Sequence, residues 1–395
     1  MPQSRFPLAW IETKSQQIYR AMEEHGLPVD QPALWLLIHT LQQEFRSGLV
    51  AIENETGLRI DPARASDVEQ VAEHFGIVLP RTKRNRARID YDTLAEFAAL
   101  RPVAELKSLQ NQLGTARGVF DRVFDSRLWP KYVFTEELGR PHSGCINYMA
   151  WPERFRPIIT ARDGFCFFTA DHQAMELRVL AALSQDEALL AALDDSDFHR
   201  ATAARMFDKS LDEVTDAERQ VAKTLTFAIL YGSTTSGVAF RLKVAPQQAE
   251  AFIHRWQSNY PKAMAFVRRV QRDGIKNQLV ESFHGRRRNL SDLIKQDTAK
   301  ARRLAINHVI QSTAGDLLRI GLIHVWPEIL KLEGRILGTV HDSFMGIIPK
   351  TVPIDQLAAI TRANAVEIPS EGYFQLRMKL SLGPRWGEIS EEHVA

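Results

Sequence analysis

Two apolar segments that lie far apart in the chain, each beside an aspartate, constrain the fold more than any other feature of the sequence. The run 165–168 predicts a buried strand that ends at Asp171. Much further along, the runs 335–340 and 344–348 flank Asp342, which is typical of a β-hairpin with an acidic tip. If these strands pair in one sheet, both carboxylates come together at one edge.

Either aspartate alone is more often a turn or cap residue than a catalytic group. Two carboxylates held close together repel each other, and this repulsion favours bound cations. Two magnesium ions about 4 Å apart would balance the charge and could serve in-line phosphoryl transfer. Paired strands would therefore make a metal site of Asp171 and Asp342.

A third feature is the segment 219–232, whose periodicity is that of an amphipathic helix. Steps of four residues place Arg219, Lys223, Phe227 and Tyr231 along one stripe. An ordinary surface helix, capped by its final glycine, explains this periodicity equally well. The functional alternative is a nucleotide site, in which the two cations bind a triphosphate and a ring stacks on a base.

Helical periodicity dominates the rest of the chain, with apolar residues at spacings of three and four. A basic loop after Pro80 interrupts the first part. The predicted helical regions are about 30–125, with apolar stripes at 34–49 and 91–109, then 175–270 with a break at 232–237, and 298–332.

The basic residues are unevenly distributed, although the net charge of +2 does not itself indicate a polyanionic partner. They cluster in three runs, which are Arg81, Lys83, Arg84, Arg86 and Arg88, then Arg286, Arg287 and Arg288, and then Lys300, Arg302 and Arg303. Any one run is typical of a solvated surface. The three together favour a phosphate-binding surface.

The cysteines and the apolar stretches indicate the compartment. Cys145 and Cys166 form no C-x-x-C or Cys/His pattern, which argues against a disulfide framework and a zinc site. No signal core follows Met1, and the early apolar stretch 33–38 is far shorter than the roughly 20 residues of a membrane span. We therefore expect a reduced, cytoplasmic protein with no membrane partner.

Three motifs, in order, resemble those of the DNA polymerase I-like (family A) DNA polymerases. Residues 171–178, Asp-His-Gln-Ala-Met-Glu-Leu-Arg, resemble motif A, usually D-Y-S-Q-I-E-L-R. The helix 219–232 resembles motif B, and 340–343, Val-His-Asp-Ser, resembles motif C, usually V-H-D-E. The likeness extends from about Gly26 to the C-terminus. Further matching segments are the thumb-to-palm junction at 106–108, the segment 197–203, G-R-R-R at 285–288 and R-x-x-x-N-x-x-x-Q at 303–311.

The resemblance implies an α+β fold with right-hand polymerase architecture, in which the palm is an antiparallel sheet, the fingers are helical and the helical thumb is reduced. The implied divisions are an N-terminal extension at 1–25, a thumb-like region at 26–115, the first part of the palm at 116–190, the fingers at 191–295 and the second part of the palm at 296–395. Because only about 25 residues precede the thumb-like region in this sequence, we expect neither a 3′–5′ exonuclease domain nor a 5′ nuclease domain. We therefore expect a polymerase module without proofreading, with weak grip on DNA and low processivity.

The resemblance also implies roles for individual residues. Asp171, Asp342 and the backbone carbonyl of His172 would hold two Mg²⁺ or Mn²⁺ ions, and Lys223 would give a proton to the departing pyrophosphate. Glu176 would act as a steric gate against ribonucleotides. The residues implied to bind the nucleotide are His199, Arg219, Lys223, Phe227, Tyr231 and Glu176. Those implied to contact primer–template DNA are Arg140, Arg303, Asn307, Gln311 and His341.

Two departures from the family motifs leave the metal-binding acids in place. Ser343 stands where motif C usually has Glu, and His172-Gln173 replace Tyr-Ser in motif A. We expect a nucleoid-associated, monomeric DNA polymerase that uses deoxynucleoside triphosphates. An RNA-copying or ribonucleotide-accepting relative and an inactive primer–template-binding protein remain alternatives. The biological role stays open among repair, gap filling, translesion synthesis and the replication of phage or mobile elements.

Overall fold

The computed structural model describes residues 6–82, 84–135, 139–144, 146–194, 197–362 and 378–394, so Lys83 and Cys145 lie outside the described residues. The helices are α1 (Leu8–His25), α2 (Gln31–Thr56), α3 (Ala65–His74), α4 (Tyr91–Ala95), α5 (Arg101–Phe120), α6 (Met175–Ser184), α7 (Glu187–Asp194), α8 (Phe198–Phe207), α9 (Asp216–Leu230), α10 (Thr235–Leu242), α11 (Pro246–Asn259), α12 (Pro261–Asn277), α13 (Ser291–Gln296), α14 (Thr298–Lys331) and α15 (Ile354–Arg362). Short 3₁₀ turns lie at Ala98–Leu100, Tyr148–Ala150, Glu153–Ile158 and Leu211–Glu213. Within the described part of the chain, no helix combines the length and the apolar character that a membrane span requires.

Among the described residues, the strands form one central sheet and three small two-stranded pairs. They are β1 (Leu27–Pro28), β2 (Arg127–Leu128), β3 (Tyr132–Phe134), β4 (Pro141–Ser143), β5 (Phe165–His172), β6 (Leu279–Glu281), β7 (Arg287–Asn289), β8 (Arg335–Val340), β9 (Ser343–Pro349), β10 (Met378–Gly383) and β11 (Glu391–Val394). The central sheet has the order β11-β10-β5-β9-β8, and every neighbouring pair is antiparallel. The predicted strand, the predicted hairpin and their pairing in one sheet are all confirmed, and the fold is α+β.

Side-chain alternation along β5 divides the interior into two cores. Phe168 and Ala170 point into a large core shared with helices α1, α6, α9, α12 and α14. Phe167 points into a second core, to which α2 and α5 also contribute. By the same period of two, Asp171 shares the face of Phe167, so its carboxylate is directed away from the helical core. A third core joins α2, α3, α4 and α5.

The predicted helices at 34–49 and 298–332 are confirmed as α2 and α14. The segment 91–109 is not one helix, because α4 ends at Ala95 and α5 begins at Arg101. Pro102 explains the break, since proline lacks an amide hydrogen and clashes with the preceding turn but is well accommodated in the first turn of a helix.

The prediction of a phosphate-binding surface is wrong for Arg286, which is only 3% exposed. Its guanidinium binds Asp316 of α14 through Nη2 at 2.8 Å and Glu12 of α1 through Nη1 at 2.9 Å. This arginine therefore ties α1 and α14 to the β6–β7 pair. In the first basic run, Arg81 pairs with Glu69 of α3 at 2.8 Å.

Replacing Asp316 by alanine is expected to lower the free energy of unfolding by about 3–5 kcal/mol, because it leaves the buried Arg286 charge without its main partner. Urea titration monitored by circular dichroism measures this change. The matched control is Asp292→Ala, which removes an exposed ion pair with Lys295 and should change stability by less than about 1 kcal/mol. Equal destabilisation by both variants would contradict the prediction.

Candidate active site

A cavity of about 300 Å³ opens where β5 ends beside the tip of the β8–β9 hairpin. Asp171 lies opposite Ser343 in the sheet, and Ser343 lies opposite Val340. Asp342 therefore occupies the two-residue turn next to Asp171. The residues singled out in the sequence that line this cavity are Arg140, Asp171, His172, Glu176, Phe227, Tyr231, His341 and Asp342.

Asp171 faces the cavity in a strongly charged environment. Desolvation by the surrounding protein raises the pKa of Asp171 most, and the nearby negative charge of Asp342 raises it further. The positive charge of Lys379 lowers it. Lys379 is the cross-strand neighbour of Asp171 on β10, and its Nζ lies 2.8 Å from Glu392 on β11. The register of the sheet therefore places Asp171, Asp342 and Lys379 next to one another.

The donor set fits a magnesium ion better than a metal fully enclosed by protein. Among the described residues, no group of three or more His, Cys, Asp or Glu side chains could hold a metal ion. Magnesium is commonly bound by one or two carboxylates, with water and substrate phosphates as the other ligands. Two hard carboxylates at an open cavity meet that requirement.

Arg140 supplies positive charge to this acidic cavity. Its Nη2 donates to Asp342 Oδ1 at 2.8 Å and to Glu176 Oε1 at 2.9 Å. The Tyr231 hydroxyl donates to the other Glu176 oxygen at 2.5 Å. Burial raises the pKa of Glu176, although both partners oppose the shift. The guanidinium shows that a cation is favourable beside Asp342.

Local sequence fixes both ends of α9. A capping box begins the helix, since the Glu218 amide donates to Thr215 Oγ1 at 3.2 Å and the Thr215 amide donates to the Glu218 carboxylate at 2.9 Å. At the other end Gly232 has a φ of +67°, and an added Cβ would lie 2.9 Å from Arg303 Cγ. Glycine is needed here both for the left-handed conformation and for the close approach of α14.

The cationic part of α9 lies beside a partly buried histidine, His199. Arg219 Nε is 2.6 Å from Asp197 Oδ2, which fixes its side chain. His199 Nδ1 is buried and has no hydrogen-bond partner within the described residues. Burial, then Lys223 and Arg219, lower the pKa of His199 to about 4, so its ring is neutral at physiological pH. The His199 ring lies 5.9 Å from the ring of Phe227, which connects this cationic end with the cavity.

One face of α14 continues the site. Arg303, Asn307 and Gln311 follow each other at four-residue spacing, so they share that face. Gln311 lies near the Tyr231 hydroxyl, where it opposes the rise in the pKa of Tyr231 that burial causes, and Arg303 packs on Gly232. Asn307 Oδ1 is buried without a hydrogen-bond partner in the described ranges.

Sequence reasoning missed several elements of this region. Asp197 anchors Arg219, and Lys379 faces Asp171, but neither had been singled out as a site residue. A larger cavity of about 840 Å³ also lies between α5 and the segment 146–155. Small and polar residues at helical spacing on α5 could have indicated this cavity from the sequence. Those that line it include Ser108, Asn111, Thr115 and Gly118.

The sheet that carries two acids, together with the cationic and aromatic helix α9 and the helices α2 to α5, defines a polymerase of right-hand architecture. The model of DNA polymerase family A matches residues 146–388. The chain belongs to DNA polymerase family A.

Similar proteins agree with this family. The thermostable DNA polymerase I of Thermus filiformis is 32% identical over 406 residues, covering 97% of this chain and 48% of the relative. The DNA polymerase I of Treponema pallidum is 30% identical over 334 residues, covering 79% of this chain and 33% of the relative. The chain thus spans about half or less of the length of these curated relatives. The structure of the POL domain of Pol1 from M. smegmatis, in complex with DNA primer-template and dNTP, has the same fold, with a TM-score of 0.87 and 24% identity over 96% of this chain and 70% of that chain.

Proposed function

We propose that this chain is a DNA-directed DNA polymerase that adds deoxynucleotides to a primer 3′-hydroxyl with two divalent ions, Mg²⁺ being the expected metal. The observation that carries this proposal is the convergence of Asp171 and Asp342 in the same cavity as the aromatic end of α9. Support also comes from the names of the similar proteins, which are DNA polymerases I, and from the DNA and dNTP bound in the M. smegmatis structure.

The chain's own residues would divide the reaction between them. Asp171, Asp342 and the His172 carbonyl would hold the metal ions, which when bound supply charge neutralisation and Lewis-acid activation. Arg140 would release Asp342 as the metals are bound. The 3′-hydroxyl would lose its proton to solvent as its oxygen bonds to the α-phosphorus. The bond from that phosphorus to the oxygen that bridges to the β-phosphate would break, and Lys223 would give a proton to the departing pyrophosphate.

Two groups of residues would hold the substrates in place. Arg219, Lys223 and the neutral His199 would bind the triphosphate, and Phe227 and Tyr231 would pack against the nucleotide and template base. The partners of primer–template DNA would be Arg140, Arg303, Asn307, Gln311 and His341.

Primer extension tests this function and its alternatives. The pure protein should extend a DNA primer on a DNA template with deoxynucleotides and Mg²⁺, and should favour them over ribonucleotides. Efficient extension on RNA templates only, or with ribonucleotides equally, would select the alternative polymerases. Binding without any extension would select the inactive binding protein. Removal of a mismatched primer terminus would contradict the expected lack of proofreading.

Replacing Glu176 by alanine is expected to increase the use of ribonucleotides relative to deoxynucleotides by roughly 10- to 100-fold. Glu176 is 6% exposed and fixed by Tyr231 and Arg140, so its side chain would occupy the space that a 2′-hydroxyl needs. Single-nucleotide insertion kinetics with matched ribo- and deoxynucleotides measure the ratio.

Two further variants control the gate experiment. Glu73→Ala, on the exposed surface of α3, should leave the ratio unchanged. Tyr231→Phe removes the hydroxyl that binds Glu176 and separates fixation of the gate from its bulk. A wild-type ratio for Glu176→Ala would disprove the gate role.

A further inference from the structure

His172 makes a side-chain contact that its expected role as a backbone ligand does not use. The ring is 5% exposed, and Nδ1 lies 2.7 Å from the carbonyl oxygen of Asp342. The backbone amide of His172 donates to the same oxygen at 3.3 Å. Two donors from the end of β5 thus converge on the residue at the hairpin tip.

The chemistry of the acceptor fixes the form of the ring. A carbonyl oxygen can only accept, so Nδ1 must carry the proton and donate. This contact therefore requires a hydrogen-bond donor at the Nδ1 position.

The backbone that this contact holds is strained. His341, beside Asp342 in the turn, has a φ of +53°, and Ala174, two residues after His172, has a φ of +50°. Residues other than glycine adopt such angles at a cost, and they remain there only where surrounding contacts enforce the conformation. Ser343 Oγ adds a further contact by donating to the Val340 carbonyl at 2.7 Å. His172 is the side chain that joins the turn to the neighbouring strand end.

We propose that His172 is a positioning residue that clamps the hairpin tip to the end of β5 and so sets the spacing of Asp171 and Asp342. The inference rests on the proposed function, because the spacing matters for holding two divalent ions. Groups that orient metal ligands typically contribute 10- to 100-fold to metal affinity. The clamp acts through the Asp342 backbone, so it can be removed without changing either carboxylate.

Three substitutions separate the donor from the bulk of the ring. His172→Asn keeps an N–H donor close to the Nδ1 position, His172→Gln moves the donor one atom further out, and His172→Leu removes it. The matched control is His308→Leu, which removes another buried imidazole, whose Nε2 lies 2.9 Å from the backbone carbonyl oxygen of Arg286.

The readout is the affinity for Mn²⁺, measured by the EPR signal of the free ion, with dideoxy-terminated primer–template and a complementary dNTP present. We expect 10- to 100-fold weaker binding for His172→Leu, a similar loss for His172→Gln and a change of less than about threefold for His172→Asn. His308→Leu should lower the melting temperature but leave Mn²⁺ affinity near that of the unsubstituted protein.

Each outcome decides the proposal. Unchanged Mn²⁺ affinity in folded His172→Leu, or equal losses in the Asn and Gln variants, would overturn it. If His172→Leu does not fold, the comparison of Asn with Gln gives the answer. Failure of the unsubstituted protein both to extend a primer and to bind Mn²⁺ would instead reject the proposed function.

Discussion

Primer extension should fall by roughly 10³-fold or more when Asp342 is replaced by asparagine, which corresponds to about 4 kcal/mol of lost transition-state stabilisation. Asparagine has nearly the same shape as aspartate but is neutral and a weaker ligand for a hard cation. The Asp342 side chain is 26% exposed at a turn, so the fold should tolerate the change. The loss would therefore come from charge and metal binding, with little contribution from unfolding.

The measurement is single-turnover extension, together with the affinity for primer–template DNA in a filter or anisotropy assay. DNA affinity should persist, because the phosphate contacts come from other residues. Asp163→Asn makes the same chemical change at an exposed turn before the other end of β5 and should extend normally. Extension by Asp342→Asn at the unsubstituted rate would remove the catalytic assignment of this acid.

Local patterns predicted the elements that carry the acids, because each pattern reports a nearby physical requirement. The apolar run before Asp171 and the two runs around Asp342 have the length and composition of strands, and β5, β8 and β9 confirm them. Their pairing depends on contacts between distant parts of the chain, which the patterns left open. The register then follows from the two-residue turn and from side-chain alternation.

Long-range contacts explain what the sequence did not predict. Arg286 lies in a basic run, but its partners Asp316 and Glu12 come from helices far away in the chain, and their contacts make it a buried residue. Lys379 faces Asp171 only because β10 pairs with β5. Arg140 likewise binds Asp342 and Glu176 only because the fold brings distant parts of the chain together. The roles of the individual site residues came from the family resemblance and stay predictions.

The second large effect is expected at Lys223, whose replacement by methionine should slow nucleotide incorporation by roughly 10²- to 10⁴-fold, the usual range for a general acid. Methionine keeps the length and the helix propensity of lysine, so α9 should remain intact. Lys223 is exposed on α9, one turn from Arg219 and one turn from Phe227. Its charge already influences His199, which places it beside the proposed triphosphate site.

Arginine at position 223 separates binding from proton donation. A guanidinium keeps the positive charge for the triphosphate but holds its proton too firmly to act as an acid. We expect Lys223→Arg to keep KM within a few-fold and to lose most of kcat, whereas Lys223→Met should worsen both. Lys276→Met, on the exposed face of α12, is the control for loss of a surface lysine in this region. Full recovery of kcat with arginine would mean that charge alone is needed and that the proton reaches pyrophosphate from another donor, which would leave Arg219, Lys223 and His199 as a purely electrostatic site.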